Sequence, residues 1–311
     1  MQVLITGGAG FIGSTLVRDL AGHGGYRITV LDNEATGRFA DIDGFGVRCI
    51  RADLLDEAAL RAALDGIETV VHLAADTRVI DSIADPARNF RTNVAGSFGL
   101  LSLARAAGVR RVVNASTGGA ILGDAPAPVH EQMVPRPLSP YGASKLAVEG
   151  YCSAFAGAYG LSTVSLRFSN VFGPRSYHKG SVVATYFRQL LAGAPLTVYG
   201  DGSQVRDYIY AGDLVQGIRA AMHADITGSV QLASGRPTTL TELIAAIRRV
   251  VDARVPVSLR HEPPRRGEVH TTWCDIALAR RALGFSPSTA LEDGLARTWN
   301  WFTGLHDARA R

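Results

Sequence analysis

QVLITGGAGFIG, residues 2–13, is the stretch that decides the fold of this chain. Its first five residues predict a short strand, and the amphipathic stretch 14–20 after it predicts a helix. Strand, glycine turn and helix in this order are the context of a dinucleotide-binding fingerprint. Gly7 permits the tight turn, Gly10 leaves room for a pyrophosphate, and Gly13 permits close packing of the helix. The N–H groups at the helix N-terminus would then bind that pyrophosphate.

The run RITVLD, residues 27–32, predicts a second strand that ends in an acid. Asp32 follows the glycine turn by about 20 residues, where a carboxylate binds the adenosine ribose hydroxyls of NAD. A carboxylate at this position would repel the 2′-phosphate of NADP. The sequence therefore predicts NAD as the cofactor, and the nearby Arg38 keeps NADP open as the alternative.

The composition is that of an ordinary globular enzyme. Of the 311 residues, 47% are hydrophobic and 19% are charged, and the formal net charge is +4. No apolar run approaches the roughly 18 to 20 residues of a membrane span, and no basic-then-apolar leader precedes the first strand. The mild charge, without a concentrated basic tract, predicts no nucleic-acid partner. Three scattered cysteines predict reduced thiols, no bound metal and a cytoplasmic location.

The alternation of elements predicts an α/β fold with a doubly wound parallel sheet. Further strands are predicted at residues 47–54, 68–75 and 109–116, and a long helical region at 86–108. Shorter pieces follow Gly173. We therefore predict a Rossmann-type NAD-binding domain over residues 1–173 and a smaller α/β domain over residues 174–311 that mainly binds substrate. Whether the chain crosses back between the two is left open.

Two polar residues in the predicted strands have different interpretations. Asp53 lies at the carboxyl end of the third strand, where sheet ligands bind, so we expect it to contact adenine. The alternative is that Asp53 caps the following helix. His72 lies inside an apolar strand and is predicted to be a core residue without a catalytic role.

The sharpest chemical feature is YGASK, residues 141–145. The spacing of four places Tyr141 and Lys145 on one face of a predicted helix. A phenol has a pKa near 10 and is a poor base at neutral pH unless a cation lies beside it. We expect the ammonium of Lys145 to lower the pKa of Tyr141 and to hold cofactor ribose hydroxyls. Thr117 would hydrogen-bond the substrate oxygen whose proton Tyr141 removes.

Motifs along nearly the whole chain resemble those of one family. They are GGAGFIG, LDN, ADL, HLAA, NV, STGGA, YGASK, RFSNVFGP and VYGDGSQVRDYIYAGDL, with RRGE at residues 265–268. Together they are similar to the extended short-chain dehydrogenases/reductases and, more narrowly, to the NAD-dependent nucleotide-sugar epimerase/dehydratase group. The resemblance implies a tightly bound NAD and a nucleotide-sugar substrate.

The resemblance also implies site residues. Cofactor contacts fall on Gly7, Gly10, Phe11, Ile12, Gly13, Asp32, Asn33, Asp53, Leu54, Leu73, Ala74, Ala75, Thr77, Asn93, Tyr141, Lys145 and Ser169. Substrate contacts fall on Thr117, Tyr141, Asn170, Val183, Tyr199, Arg206, Arg265 and Glu268. The catalytic residues are Tyr141, Lys145, Thr117 and Ser116.

Several of these roles have alternatives. Thr117 is preferred over Ser116 as the residue that faces the sugar, but both remain open. The implied role of Arg206 and Arg265 is to bind the diphosphate region, and ordinary surface charge is the alternative. The amide of Asn93 either supports the cofactor side of its helix or packs helices together. Glu268 would take nucleotide ribose hydroxyls, and Asn170 a diphosphate oxygen.

Gly118 and Gly119 narrow the implied reaction. Dehydratases of this group usually carry Asp-Glu after the threonine, and the related decarboxylases keep a Glu, so the glycines argue against both. The pair is similar to that of a subset of UDP-glucose 4-epimerases. This resemblance implies a UDP-hexose 4-epimerase that oxidises sugar carbon 4 to a transient 4-keto sugar and then reduces it on the other face.

Other functions remain open at this point. A UDP-glucuronate 4-epimerase would use the basic residues Arg175, His178 and Lys179 to meet a carboxylate. A nucleotide-sugar reductase or dehydratase that releases its cofactor, and a non-catalytic NAD-sensing regulator, are further alternatives. Small and apolar residues on several faces of the helices at 93–108 and after Tyr141 predict a homodimer, because family members commonly pair these helices.

Overall fold

The computed structural model describes residues 1–253, 255–264 and 269–310, with side chains to residue 306. Its strands are β1 (Gln2–Thr6), β2 (Arg27–Asp32), β3 (Arg48–Arg51), β4 (Thr69–His72), β5 (Arg111–Thr117), β6 (Ser162–Phe168), β7 (Asn170–Phe172), β8 (Leu196–Tyr199), β9 (Val205–Tyr210), β10 (Gly228–Leu232), β11 (Pro237–Thr239) and β12 (Leu259–Glu262).

The α-helices are α1 (Phe11–His23), α2 (Glu57–Leu64), α3 (Val79–Ala84), α4 (Pro86–Asn89), α5 (Gly96–Ala106), α6 (Gly118–Leu122), α7 (Pro140–Tyr159), α8 (Val182–Leu191), α9 (Ala211–His223), α10 (Leu240–Val250), α11 (Ala277–Leu283) and α12 (Leu291–Ala310). A 3₁₀ turn covers Phe39–Ile42, and a π-helix covers Phe90–Ala95. The predicted helical region at 86–108 is therefore divided into three pieces.

A seven-stranded parallel sheet forms the centre of the molecule, in the order β10-β6-β5-β4-β1-β2-β3. The sheet confirms the predicted doubly wound α/β fold. Its strand order reverses between β1 and β4, and ligands of such sheets bind at this point, outside the carboxyl ends of the strands. The interior strands are buried on both faces, which explains their nearly continuous apolar sequences.

The second half of the chain contributes to two regions. Strand β10 pairs with β6 in the central sheet, and α9 packs against α1. The remaining elements form a three-stranded sheet, β11-β9-β7, and a two-stranded sheet, β12-β8. Phe172, Phe187, Leu243 and Phe302 belong to the apolar core of this smaller region. The division at residue 173 stays a prediction, and the pairing of β10 shows that the chain crosses between the sheets.

Within the described ranges, none of the helices combines the length and apolarity that crossing a membrane requires. The three cysteines are free thiols, with Cys152 and Cys274 buried and Cys49 exposed. Among the same residues, no group of three His, Cys, Asp or Glu side chains is placed to hold a metal ion.

Candidate active site

The glycine turn lies where the strand order of the sheet reverses, and backbone atoms pack closely against it on two sides. Gly7 has a φ of +70°, and a Cβ there would lie 2.6 Å from the backbone nitrogen of Ala74. A Cβ on Gly13 would lie 2.3 Å from the carbonyl oxygen of Gly7. Gly10 is the N-cap of α1, makes no side-chain cap and is followed by no acid in the first turn. The N–H groups of this helix end are thus available to an anion.

Asp32 ends β2 directly beside this turn. Its buried carboxylate accepts hydrogen bonds from the backbone N–H groups of Ala9, at 3.0 Å, and Glu34, at 2.7 Å. Burial raises the pKa of Asp32, and these hydrogen bonds partly offset that effect. Gly37, which the sequence analysis did not single out, packs on the turn so closely that a Cβ there would lie 2.0 Å from the Ala9 carbonyl oxygen. In the sequence, Gly37 is indicated by its place in the polar, glycine-containing loop that follows Asp32.

Asn33 and Asp53 meet at the carboxyl ends of β2 and β3. The Asn33 amide donates to Asp53 Oδ2 at 2.9 Å, and Asp53 Oδ1 accepts from the Leu55 N–H at 3.0 Å. The N-cap of α2 is Asp56, which accepts from the Ala59 N–H. Asp53 is therefore not the cap of α2, and its exposed carboxylate lies where a bound adenosine is expected.

Asn93 lies in the π-helix and is buried. Its Oδ1 accepts from the Asp76 N–H at 2.7 Å, and its Nδ2 donates to the Asp76 carbonyl at 2.9 Å and to Ser144 Oγ at 3.0 Å. The amide thus joins the segment after β4 to α7. This geometry matches the helix-packing alternative, and the role of Asn93 on the cofactor side stays a prediction. Single-turn π-helices inside α-helices are frequent at functional sites.

The other predicted cofactor residues occupy the same sheet edge or turn away from it. Phe11 and Ile12 open α1, Leu73, Ala74, Ala75 and Thr77 follow β4, and Leu54 and Ser169 follow β3 and β6. Leu54 packs over Gly96 in the core. The Ser169 hydroxyl donates to the buried Asp207 carboxylate at 3.1 Å.

Tyr141 lies in the first turn of α7 and forms a side-chain hydrogen bond with Thr117 at the end of β5. Ser139 caps this helix by accepting from the Gly142 N–H at 3.2 Å, and Pro140 occupies the first helical position. Burial raises the pKa of Tyr141 to about 12, although the hydrogen bond from Thr117 acts to lower it. A lowered pKa was expected for Tyr141 from the nearby Lys145, and the direction in the structure is the opposite.

Lys145 is buried one turn further along α7. Its ammonium donates to the Ala115 carbonyl at 3.0 Å. Burial lowers the pKa of Lys145 itself to about 8, and the ammonium of Lys179 acts in the same direction. Desolvation is thus the largest cause of the pKa shift at both Tyr141 and Lys145.

Ser116 turns away from Tyr141. Its buried hydroxyl donates to Glu149 Oε1 at 2.6 Å. In this geometry Thr117 contacts Tyr141 and Ser116 contacts Glu149, which is the arrangement expected if Thr117 faces the sugar, and the choice between the two stays a prediction. The sequence analysis missed Glu149, although the spacing of four from Lys145 to Glu149 repeats that of Tyr141 and Lys145.

The predicted substrate residues are more scattered. Asn170 is exposed at the start of β7, and Tyr199 ends β8. Arg206 is half-buried on β9, and its Nη1 donates to the carbonyls of Val205 and His270, at 2.8 and 3.0 Å. Val183 is packed in the apolar core, so its side chain does not line a cleft. Arg265 and Glu268 lie outside the described residues.

Comparison with known proteins gives consistent findings. Residues 3–232 match the model of the NAD dependent epimerase/dehydratase family. The chain is 37% identical to the UDP-glucose 4-epimerase of Mycolicibacterium smegmatis, over 97% of this chain and 98% of that one. A UDP-glucose 4-epimerase structure from Thermotoga maritima with UDP-glucose has 35% identity and a TM-score of 0.93, covering 98% and 100% of the two chains.

A second solved structure is similar along the same length. It is the UDP-glucuronic acid 4-epimerase of Bacillus cereus in complex with UDP-glucuronic acid and NAD. It has 28% identity and a TM-score of 0.91, and the match covers 98% of this chain and 100% of that chain.

Proposed function

This chain belongs to the NAD dependent epimerase/dehydratase family, and we propose that, as an NAD-dependent UDP-sugar 4-epimerase, it interconverts UDP-glucose and UDP-galactose. Its cofactor is NAD, and it is an isomerase in the manner of its relatives. The choice of glucose and galactose follows two UDP-glucose 4-epimerases that are 37% and 35% identical to this chain. We further propose that the NAD stays bound through turnover.

The observation that carries the proposal is the environment of the Thr117–Tyr141 pair. Gly118 and Gly119 follow Thr117 directly, at the start of α6. A Cβ on Gly118 would lie 2.6 Å from Oε1 of Gln231, and one on Gly119 would lie 3.1 Å from Cγ2 of Thr272. Because glycine has no side chain, neither position supplies an acid beside the sugar, which disfavours elimination and favours Tyr141 as the acid/base group.

The residues of the site fit NAD and divide its binding among them. The N-terminus of α1 would hold the pyrophosphate, and Asp32 would bind the adenosine ribose. Lys145 would bind the ribose on the nicotinamide side. When bound, NAD accepts a hydride from sugar carbon 4 and returns it to the opposite face. The oxidised nicotinamide ring of NAD would also bring a positive charge near the phenol, and such a charge lowers the pKa that burial raises.

The chain's own residues move the proton. Tyr141, as phenolate, takes the proton of the carbon-4 hydroxyl while the C4–H bond is broken, and it gives the proton back when that bond is reformed. Thr117 hydrogen-bonds the carbon-4 oxygen of the sugar and holds that oxygen in line with Tyr141. Because proton and hydride both return, no redox equivalent is consumed.

A panel of nucleotide sugars tests this function. Purified protein is incubated with UDP-glucose, UDP-galactose, their N-acetyl forms and the dTDP-hexoses, with no added nicotinamide, and the products are separated. We expect UDP-glucose and UDP-galactose each to yield the other. A requirement for added NADPH, or a 4-keto product that accumulates, would instead identify a reductase or a dehydratase.

A second candidate substrate is UDP-glucuronate, favoured by Lys179. This lysine precedes α8 and is half-buried, and its ammonium is close enough to lower the pKa of Lys145. In the part of the chain that the structure describes, its side chain has no carboxylate partner. A hexuronate would supply one. UDP-glucuronate is therefore added to the same panel, and Lys179→Met would abolish selectively the turnover of that sugar if the carboxylate binds there.

A further inference from the structure

Glu149 is a buried carboxylate with a complete set of hydrogen bonds. Its Oε1 accepts from Ser116 Oγ at 2.6 Å and from Arg167 Nε at 2.9 Å. Its Oε2 accepts from Arg167 Nη2 at 2.6 Å and from Ser229 Oγ at 2.9 Å. These donors come from β5, β6 and β10, so a single side chain of α7 is bonded to three adjacent strands of the central sheet.

Stability alone is a weak reason for this ion pair. The side chains of Glu149 and Arg167 are only 7% and 4% exposed. At such burial the desolvation cost offsets much of the attraction, and well-packed apolar pairs often replace buried ion pairs without loss. Arg167 Nη1 is also buried without a hydrogen-bond partner among the described residues. The placement of the pair beside the catalytic residues points to a role in the reaction.

The end of β5 and the inner face of α7 are matched residue by residue. Tyr141, Lys145 and Glu149 are spaced four apart and share one face of the helix. Tyr141 bonds to the Thr117 side chain, Lys145 to the Ala115 carbonyl, and Glu149 to the Ser116 hydroxyl. Three consecutive strand residues are thus each held by one of three helix residues. Glu149 is the member of this set that hydrogen-bonds to three strands of the sheet.

We propose that Glu149, paired with Arg167, is a positioning residue that fixes the register of α7 on β5 and keeps Lys145 protonated during turnover. The inference rests on the proposed function, since it concerns the same site. By holding Ser116, Glu149 leaves Thr117 as the residue that faces Tyr141. Its charge acts on Lys145 from one helical turn away.

The charge of Glu149 shifts the pKa of Lys145 in a defined direction. Burial lowers the pKa of Lys145, and the Glu149 carboxylate raises it. Removing that charge would lower the pKa further, and the uncompensated cation of Arg167 would act in the same direction. Lys145 would then lose its proton at a lower pH. The other titratable groups near Lys145 are Tyr141 and Cys152 on its own helix, His72 on β4 and Lys179 before α8.

The experiment compares Glu149→Gln with two serine variants, using full-length enzyme loaded with NAD. We expect Glu149→Gln to lower kcat by roughly 10- to 100-fold, the cost of misplaced reacting groups, with KM within about twofold. Its alkaline limb of kcat should move to lower pH by on the order of one unit. Ser116→Ala keeps the charge of Glu149, so it should lower kcat without moving the alkaline limb of the kcat profile. Ser229→Ala removes an equivalent hydrogen bond from β10 and should leave both unchanged.

Two further measurements separate the possible outcomes. If Glu149→Gln does not fold, the Glu149→Gln/Arg167→Met double variant, which leaves no unpaired charge, takes its place and should still show the loss in kcat. If the wild-type protein turns over no nucleotide sugar, the proposed function fails. Glu149 is then tested by calorimetry of NAD binding, which Glu149→Gln should weaken more steeply above neutral pH. An unchanged kcat and pH profile, or unchanged NAD binding in that case, would overturn the inference.

Discussion

Thr117 hydrogen-bonds the phenol of Tyr141 where strand β5 ends and helix α7 begins. The contact joins a strand of the seven-stranded sheet to the helix that carries Lys145. It also acts on chemistry, because a hydroxyl that donates to the phenol favours its ionised form. Burial opposes this and raises the pKa of Tyr141 to about 12.

Replacing Tyr141 by phenylalanine should remove the proposed base while keeping its ring. We expect kcat to fall by roughly 10²- to 10⁴-fold, the usual contribution of general acid–base catalysis, with NAD still bound and thermal unfolding unchanged within a few degrees. Tyr159→Phe, at the exposed end of the same helix, is the control and should keep full activity. Near-normal turnover by Tyr141→Phe would refute the assignment.

Thr117→Val keeps the shape of the side chain and removes the hydrogen bond to Tyr141. Because that bond lowers the pKa of Tyr141, its loss should raise the pKa and leave less phenolate at any given pH. The acidic limb of the kcat profile should therefore move to higher pH, and kcat at neutral pH should fall. Thr117→Ser should restore most of the activity. A profile unchanged in Thr117→Val would show that Thr117 does not act on the phenol.

Two glycines of α1 form a matched pair. A Cβ on Gly13 would meet the backbone of Gly7 and Gly8 at 2.3 to 2.5 Å, whereas one on Gly22 meets nothing within 4 Å. We expect Gly13→Ala to lose bound NAD, measured by absorbance after denaturation, and to unfold at lower temperature. Gly22→Ala should keep NAD, and its free energy of unfolding should rise by about 0.5–1 kcal/mol, because alanine favours a helix. Equal NAD contents in the two variants would argue against the turn as the pyrophosphate site.

The predicted homodimer has a candidate surface on α5 and α7. Phe98 and Tyr151 are 44% and 40% exposed and form an edge-to-face contact with ring centroids 5.1 Å apart. Exposed aromatic clusters of this kind mark interaction surfaces. We expect sedimentation to give a dimer for the wild type and a monomer for Phe98→Glu/Tyr151→Glu. Val134→Glu, an exposed apolar residue between α6 and α7, should remain dimeric, and a wild-type monomer would contradict the prediction.

Local patterns in the sequence predicted part of the fold and site. The first two strands have the predicted bounds, Gln2–Thr6 and Arg27–Asp32, because an apolar run followed by a glycine turn or an acid is a local signal. The spacing of Tyr141 and Lys145 likewise depends only on helix geometry. The pairing of β10 with β6 was not predictable in the same way, since it depends on contacts distant along the chain.

The parts of the site that the sequence did not determine depend on tertiary contacts. The Ser116 hydroxyl is bound by Glu149, which reaches β5 only in the folded chain, so this contact could not be used to choose between Ser116 and Thr117 from the sequence. The pKa of Tyr141 was expected to fall because a lysine is four residues away, but burial of both groups reverses the direction. A desolvation effect cannot be read from spacing.

The central claim is that a resident NAD takes a hydride from sugar carbon 4 and returns it to the same molecule, with Tyr141 moving only the proton. UDP-glucose is incubated with the purified protein in D₂O without added nicotinamide, and the UDP-galactose is examined by NMR and mass spectrometry. The account predicts UDP-galactose whose carbon-4 hydrogen is retained as protium. Deuterium at carbon 4, or no product until NADPH is supplied, would contradict it.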